Sequence, residues 1–325
     1  MLSGKKAVYY MCDDERRQGL VARTVLAILK EKNFTISAGI TFDGREVLIH
    51  KDERDNEYYF VPTEFPVCWD YPRYLPGMNE HFANCDIAGM ITWHEGSNAP
   101  PKALTVHSIG DVNAGVYGPT NSVYMRNLLH AMERNRVAFG LLDYQTVTEA
   151  THWSGTYVSG SPPELILQYP APILDIEVGS VEESWSDRVA CKALADALTQ
   201  VFDSDGKRVH NILCVGGIHF DPNFAQAAFT EWGEDAFGVT HIIANQWLVS
   251  GEYESKHGLE YASAAIDAIA GGIEAIAFHD KMKGCYKDLV RALGEKYQVL
   301  ILRHHLLRNP ADVFGSLNRL TNEDK

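Results

Sequence analysis

Five short runs of this 325-residue chain end in a histidine. They are Ile-Thr-Trp-His94, Leu-Thr-Val-His107, Glu149-Ala-Thr-His152, Gly-Gly-Ile-His219 and Ala-Phe-His279. A further apolar run, Ile-Glu177-Val-Gly, carries a carboxylate. Histidine and glutamate are ligands that a catalytic zinc takes while keeping one position open for water. Zinc brings that water's pKa to about 7 and so supplies hydroxide at neutral pH. A histidine–glutamate pair can also do general acid–base work without a metal. One histidine at a strand end reads equally as a hydrogen-bonded structural residue; its recurrence at one topological place argues for a site. Asp175 and Glu177 share one face of a strand, since side chains alternate along it. Buried carboxylates need a cation, an arginine or backbone donors, and Arg188 is a simple ion-pair candidate. A second cluster, His279-Asp280-Lys281-Met282-Lys283-Gly284, continues with Lys287 and Arg291 on the next helix. It suits contact with a phosphate backbone or a solvated helix face.

The elements that must position these residues alternate between strand and helix. Apolar runs predict strands over 7–11, 87–92, 103–106, 144–148, 173–178, 212–215, 241–244, 273–278 and 298–302, with a hairpin over 39–50 turning at Phe42-Asp43-Gly44-Arg45. Helical spacing predicts helices over 16–32, 122–136, 259–270 and 286–296. Ser180 and Glu183 fit a capping box that would open a helix running to Phe202. Residues 52–83, rich in aromatics, prolines and charges, read as an irregular loop or insertion. Residues 310–325 read as a polar tail. Gly216-Gly217 and Gly271-Gly272 read as tight turns. Alternating strands and helices predict an α/β fold, a mostly parallel sheet with helices on both faces, as one catalytic domain over residues 1–309. In such sheets ligands bind beyond the carboxyl ends of strands, where these histidines fall.

Composition narrows the function. Hydrophobic residues make up 46% of the chain, enough for a sizeable core. No apolar run reaches the roughly 18 residues of a spanning helix, and the short run after Lys6 is unlike a signal segment. The expectation is a cytoplasmic protein without membrane contact. The six cysteines form no C-x-x-C pair, which leaves zinc ribbons and thioredoxin-like motifs unsupported. A formal net charge of −14 means that any polyanion must be bound by a local basic patch. No G-x-S-x-G elbow, H-E-x-x-H pair or Walker A loop is present.

The ordered set Leu104-Thr-Val-His-Ser-Ile-Gly110, Glu149-Ala-Thr-His152, Glu177-Val-Gly-Ser-Val-Glu-Glu-Ser-Trp185 and Gly216-Gly-Ile-His-Phe-Asp-Pro222 resembles the D-aminoacyl-tRNA deacylases of the archaeal and plant type. Asp280-Lys-Met-Lys-Gly284 and Cys12-Asp-Asp-Glu15 fit the same pattern, and the resemblance runs from about residue 7 to about residue 303. It implies a phosphorylase/hydrolase-like three-layer α/β/α fold. It also implies zinc-dependent cleavage of the ester between a D-amino acid and tRNA. His94, His107, His152, Glu177 and His219 fall on the family's motif residues. The assignment it suggests puts His94, His107, His152 and Glu177 on the metal, and Glu149, His152 and His219 in proton transfer. Trp93, Trp153, Ile218, Lys281 and Lys283 would contact the substrate, the lysines through the RNA backbone.

The chain also departs from the family's pattern. Trp153-Ser154 stands where the family has His-Gly, Thr92-Trp93 where it has Ser-Arg, and Ile218 where it has glycine. A family lysine is replaced near Asn245-Gln246-Trp247. These changes remove polar groups around the site and add bulk. They support a second reading, a diverged member acting on a small-molecule ester, amide or nucleoside-like metabolite. Trp93, Trp153 and Ile218 would then line a smaller apolar pocket. A third reading is a non-catalytic RNA- or metabolite-binding protein on the same fold.

Overall fold

The computed structural model describes residues 4–14, 19–33, 35–96 and 98–323. The first strands are β1 (Lys6–Cys12), β2 (Ile36–Phe42), β3 (Arg45–Lys51), β4 (Glu57–Thr63), β5 (Ile87–Glu95) and β6 (Lys102–Ser108). The short β7 (Gly110–Asp111) and β8 (Val116–Tyr117) precede β9 (Gln145–Thr148) and β10 (Ile173–Ser180). The chain continues with β11 (Arg208–Val215), β12 (Glu231–Trp232), β13 (Asp235–Ile243), β14 (Ala275–Phe278) and β15 (Leu300–Arg303). The helices are α1 (Leu20–Glu31), α2 (Tyr71–Phe82), α3 (Ser122–Ala138), α4 (Ser154–Ser159), α5 (Glu182–Trp185) and α6 (Arg188–Leu198). They continue with α7 (Pro222–Ala227), α8 (Asn245–Ser250), α9 (Gly258–Asp267), α10 (Gly284–Tyr297) and α11 (Pro310–Glu323).

Mostly parallel mixed sheets flanked by helices make this an α/β fold, as the alternation of elements requires. The strands divide between two main sheets rather than forming one. The first has eight strands in the order β2-β3-β4-β1-β5-β10-β6-β9, and the second has five, β12-β13-β11-β14-β15. In the first, β1, β4, β5 and β10 run parallel, while β6 lies antiparallel to β10 and parallel to β9. In the second, β13, β11, β14 and β15 run parallel. The two-residue period of a strand sorts β1 onto two cores. Ala7, Tyr9 and Met11 join a cluster shared with α1, α3, α6 and the second sheet. Val8 and Tyr10 join another with Tyr71, Tyr74, Met78 and Trp153.

The reversal of β6 decides the site. It pairs Asp175 with His107 and Glu177 with Thr105 across β10 and β6. On the other side of β10, Glu177 pairs with Thr92 and Gly179 with His94. A Cβ on Gly179 would lie 2.6 Å from both the Cβ and the carbonyl oxygen of His94. Only a glycine lets β5 and β10 approach this closely. The segment after β9 ties the two sheets together. Ala150 N–H donates to the His219 carbonyl at 2.9 Å, and Thr151 N–H to the Ile242 carbonyl at 3.0 Å.

Four expectations are corrected. Residues 52–83 hold β4 and α2, whose Tyr71, Tyr74, Leu75, Met78 and Phe82 are buried at helical spacing. Residues 310–323 form α11, which buries Val313, Phe314 and Leu317 in the core. The helix expected from Ser180 begins instead as the single turn α5, followed by α6, where the Asp187 side chain accepts from Val189 and Ala190 N–H. Arg188 pairs with Glu31, not with Asp175 or Glu177. The helix expected over 16–32 is seen from Leu20; its first residues, and Glu15 of the N-terminal motif, lie outside the described residues. The paired glycines behave as turns, with φ of 91° and 75° at Gly216 and Gly217 and 83° and 71° at Gly271 and Gly272. Among the described residues no helix is long and apolar enough to cross a membrane.

Candidate active site between the two sheets

Glu149 is fully buried where the link after β9 meets the second sheet. Its Oε1 accepts from Thr105 Oγ1 at 2.9 Å and its Oε2 from His219 Nε2 at 2.7 Å. His94 Nε2 lies 3.5 Å from the same Oε2. Burial alone would raise the Glu149 pKa. The His219 hydrogen bond and the facing imidazoles of His107, His152 and His94 outweigh it, and the carboxylate is held well below its usual range.

The imidazoles are oriented by what their Nδ1 atoms meet. His107 Nδ1 donates to the Ser108 carbonyl at 3.0 Å and His152 Nδ1 to the Ala150 carbonyl at 2.9 Å. His94 Nδ1 meets Ser180 Oγ at 2.8 Å, and that hydroxyl donates to the Pro100 carbonyl at 2.9 Å. With the proton on Nδ1, the Nε2 atom of each ring carries the lone pair. His107 Nε2 is buried without a hydrogen-bond partner, 3.9 Å from Asp175 Oδ2 and 4.0 Å from Glu177 Oε1. Glu177 Oε2 is likewise buried and unpartnered. Lone pairs turned onto carboxylate oxygens repel unless a proton or a cation lies between them. Fixing the far nitrogen of a histidine by a backbone carbonyl is also how metal-binding imidazoles are oriented.

Burial raises the pKa of Asp175, countered in part by His107 and by the Thr92 hydroxyl, which donates to it. Burial raises Glu177 further, reinforced by Glu149 and Asp175. Burial lowers His152 well below the usual imidazole value and lowers His94 as well. Neutral histidines beside carboxylates that resist ionisation form a site suited to a cation. The ligand atoms of His107, Asp175 and Glu177 lie within 4.8 Å of one another, as do those of His94, Glu149 and His219. The His107 and His152 rings stack at 3.9 Å, and His152 lies 5.0 Å from His219. His219 stacks on Trp247 at 5.5 Å.

The structure thus brings together His94, His107, Glu149, His152, Glu177 and His219, and adds Asp175, Thr92, Thr105 and Ser180. Trp93 borders the adjoining cavity, edge-on to Trp69 at 5.6 Å. Trp153 does not face that cavity. Its ring is 2% exposed and packs edge-on against Tyr71 in the core below. Ile218 is 64% exposed beside His219. Lys281 and Lys283 are exposed on the turn after β14, which lies against Gly216 through Met282 and His279. His279 stands apart from the cluster, stacked on His304 at 4.1 Å. Sequence reasoning gave no role to His241, which is fully buried behind the site. It meets Ser108 Oγ at 2.9 Å, and burial lowers its pKa to about 3.

A buried histidine–carboxylate cluster is built where the two sheets of this α/β fold meet, and its donors suit acid–base work or a metal ion. Residues 81–302 match the family model of the D-aminoacyl-tRNA deacylases, more than half of the chain. The chain belongs to the D-aminoacyl-tRNA deacylase family. The proteins of that name to which it is similar include the following three. With Methanospirillum hungatei it shares 25% identity over 63% of this chain and 42% of the relative. With Cenarchaeum symbiosum it shares 25% over 48% and 56%. With Pyrococcus abyssi it shares 26% over 66% and 68%. The match spans about half the length of the first two relatives. Among solved structures, the crystal structure of a conserved protein of unknown function shares the fold. Its TM-score is 0.73 at 16% identity, over 95% of this chain and 98% of that one.

Proposed function

We propose that this chain hydrolyses the ester joining a D-amino acid to tRNA. The observation that carries this reading is the fully buried Glu149, bonded to His219 beside imidazole lone pairs turned onto carboxylates. An ionised Glu149 accepts the Nε2 proton of His219 and leaves the Nδ1 lone pair to take a proton from water. That water oxygen attacks the acyl carbonyl carbon, and His219 returns the proton to the ribose oxygen that leaves. Glu149 stabilises the imidazolium in between. Family membership supplies the substrate class, and Lys281 and Lys283 beside the Gly216-Gly217 turn supply cations for the RNA backbone.

His107, Asp175 and Glu177, with His152 stacked beside them, would hold a divalent metal. The unpartnered His107 Nε2 and Glu177 Oε2 fit such an ion, and the mixed nitrogen and oxygen donors suit zinc. When bound, zinc polarises a carbonyl and lowers the pKa of water to about 7. The cavity at these residues, about 290 Å³ and walled in part by Trp69 and Trp93, favours a second reading in which a small acylated molecule replaces the tRNA.

Metal analysis joined to turnover tests the first reading. Purified protein is expected to carry a divalent metal, and His107→Ala to lose both the metal and D-Tyr-tRNA hydrolysis. A metal-free protein of undiminished rate would remove the metal. Metal-replete protein that leaves D-Tyr-tRNA intact but cleaves a small D-aminoacyl ester would select the second reading.

A further inference from the structure

A groove of about 550 Å³ opens beside the cluster, between β9 and α7. Tyr144, Gln145, Thr146 and Val147 all border it. Successive side chains of a strand point to opposite faces, so a wall of four consecutive residues follows the strand's edge rather than one face. β9 is the outermost strand of the first sheet, with β6 on one side and no strand on the other. Its outer edge therefore presents backbone N–H and C=O groups that no strand takes up. The opposite wall is Pro222, Ala225, Gln226 and Phe229, whose spacing puts them on one face of α7 and the turn that ends it. Phe220 stands between the groove and the cluster, edge-on to His94 and to His219 at 5.0 Å each. Glu133 and Arg136 are the charged groups among the described residues that line the groove. They are already paired, with Arg136 Nε and Nη2 donating to the Glu133 carboxylate at 2.7 and 2.8 Å.

We propose that this groove seats the terminal adenosine of the tRNA, with the edge of β9 reading the base. This rests on the deacylase reading above. The alcohol released from an aminoacyl-tRNA is the ribose of that adenosine, so a purine nucleoside lies directly beside the ester. The groove lies one ring away from His219, which returns the proton to the leaving ribose oxygen. Its volume falls within the roughly 300–1,000 Å³ usual for ligand sites. Phe220, Phe229 and Pro222 give flat apolar surface for stacking a base, and a neutral base suits walls whose charges are already paired. The Watson–Crick edge of adenine donates from N6 and accepts at N1, which complements a C=O and an N–H on a strand edge. Guanine reverses that order, because its O6 accepts and its N1–H donates.

The test measures calorimetric binding of adenosine and of guanosine to the full chain and to Ala225→Leu, whose larger side chain fills the groove from a half-buried position on α7. Steady-state hydrolysis of D-Tyr-tRNA is followed on both proteins. Adenosine is expected to bind the wild type about tenfold more tightly than guanosine. Ala225→Leu is expected to weaken adenosine binding by about tenfold and to raise KM for D-Tyr-tRNA by a similar factor, with kcat little changed. The guanosine comparison uses the unaltered chain and stands whatever Ala225→Leu does to folding. D-Tyr-tRNA turnover by a wild type that binds adenosine no better than guanosine, or by an Ala225→Leu protein of unchanged KM, would overturn the groove and leave the deacylase reading standing. Adenosine binding that Ala225→Leu weakens, without turnover of any D-aminoacyl-tRNA, would support the groove and overturn the deacylase. Absence of both would remove both.

Discussion

At Glu149 a single carboxylate gathers Thr105, His219 and His94 in a place that water does not reach. Its worth lies in being charged there. Replacing it with glutamine keeps the shape and removes the charge that would hold a protonated His219. Glu149→Gln is expected to lower kcat on D-Tyr-tRNA by roughly 10²–10⁴-fold, with KM little changed, in steady-state assays. A rate within a fewfold of wild type would place the proton transfer elsewhere. Six members of this cluster were legible in the sequence: the four histidines end short runs at strand ends, Glu177 interrupts an apolar run, and Glu149 comes with the Glu-Ala-Thr-His motif. Asp175 was legible as a buried carboxylate, but its partners were not. Thr92, Thr105 and Ser180 join the site only through strand pairing, which sequence spacing does not encode. Trp153 was misplaced for the same reason: a ring next to a site histidine in sequence points to the opposite core.

Single elements show where sequence patterns mislead. Pro72 and Pro76 make α2 read as a loop, yet Pro72 sits in its first turn, where no N–H is required, and the buried stripe from Tyr71 to Phe82 sets the helix. The last helix looks polar because its apolar residues are few, but the Phe314 ring packs at a tilt against Phe237, 4.4 Å between centroids, and against His210 at 5.3 Å. That contact should depend on pH. His210 is buried between Glu274 at 2.7 Å and Asp235 at 2.8 Å, and Asp235 also accepts from Asn318 on α11. Burial alone would lower the His210 pKa, but its hydrogen bonds to Glu274 and Asp235 raise it above the ordinary 6.5. A raised folded pKa means that the folded state holds the proton more tightly than the unfolded chain. The stabilisation is therefore fully present below 6.5 and is lost as pH rises through the folded value. Thermal unfolding followed from pH 6 upward should show a falling Tm in the wild type and a flatter profile in His210→Gln. Parallel profiles would assign the pH dependence to other groups.

On the scale of the whole molecule, the α/β class followed from alternating runs, but the division into two sheets did not. It depends on β6 turning antiparallel to β10 and on the link from Glu149 to His152 bonding across to the second sheet. Those two features bring residues from β5, β6, β10 and the segments after β9 and β11 to one place. On the proposed function, the formal net charge of −14 requires tRNA to be held locally, and Lys281 and Lys283, exposed on the turn after β14, are the cations proposed for it. The most direct test of the account is deacylation of D-Tyr-tRNA and L-Tyr-tRNA, side by side, by the metal-replete chain. The account predicts rapid release of D-tyrosine while L-Tyr-tRNA decays at its spontaneous rate. Equal decay of both at the spontaneous rate, or equal acceleration of both, would contradict it.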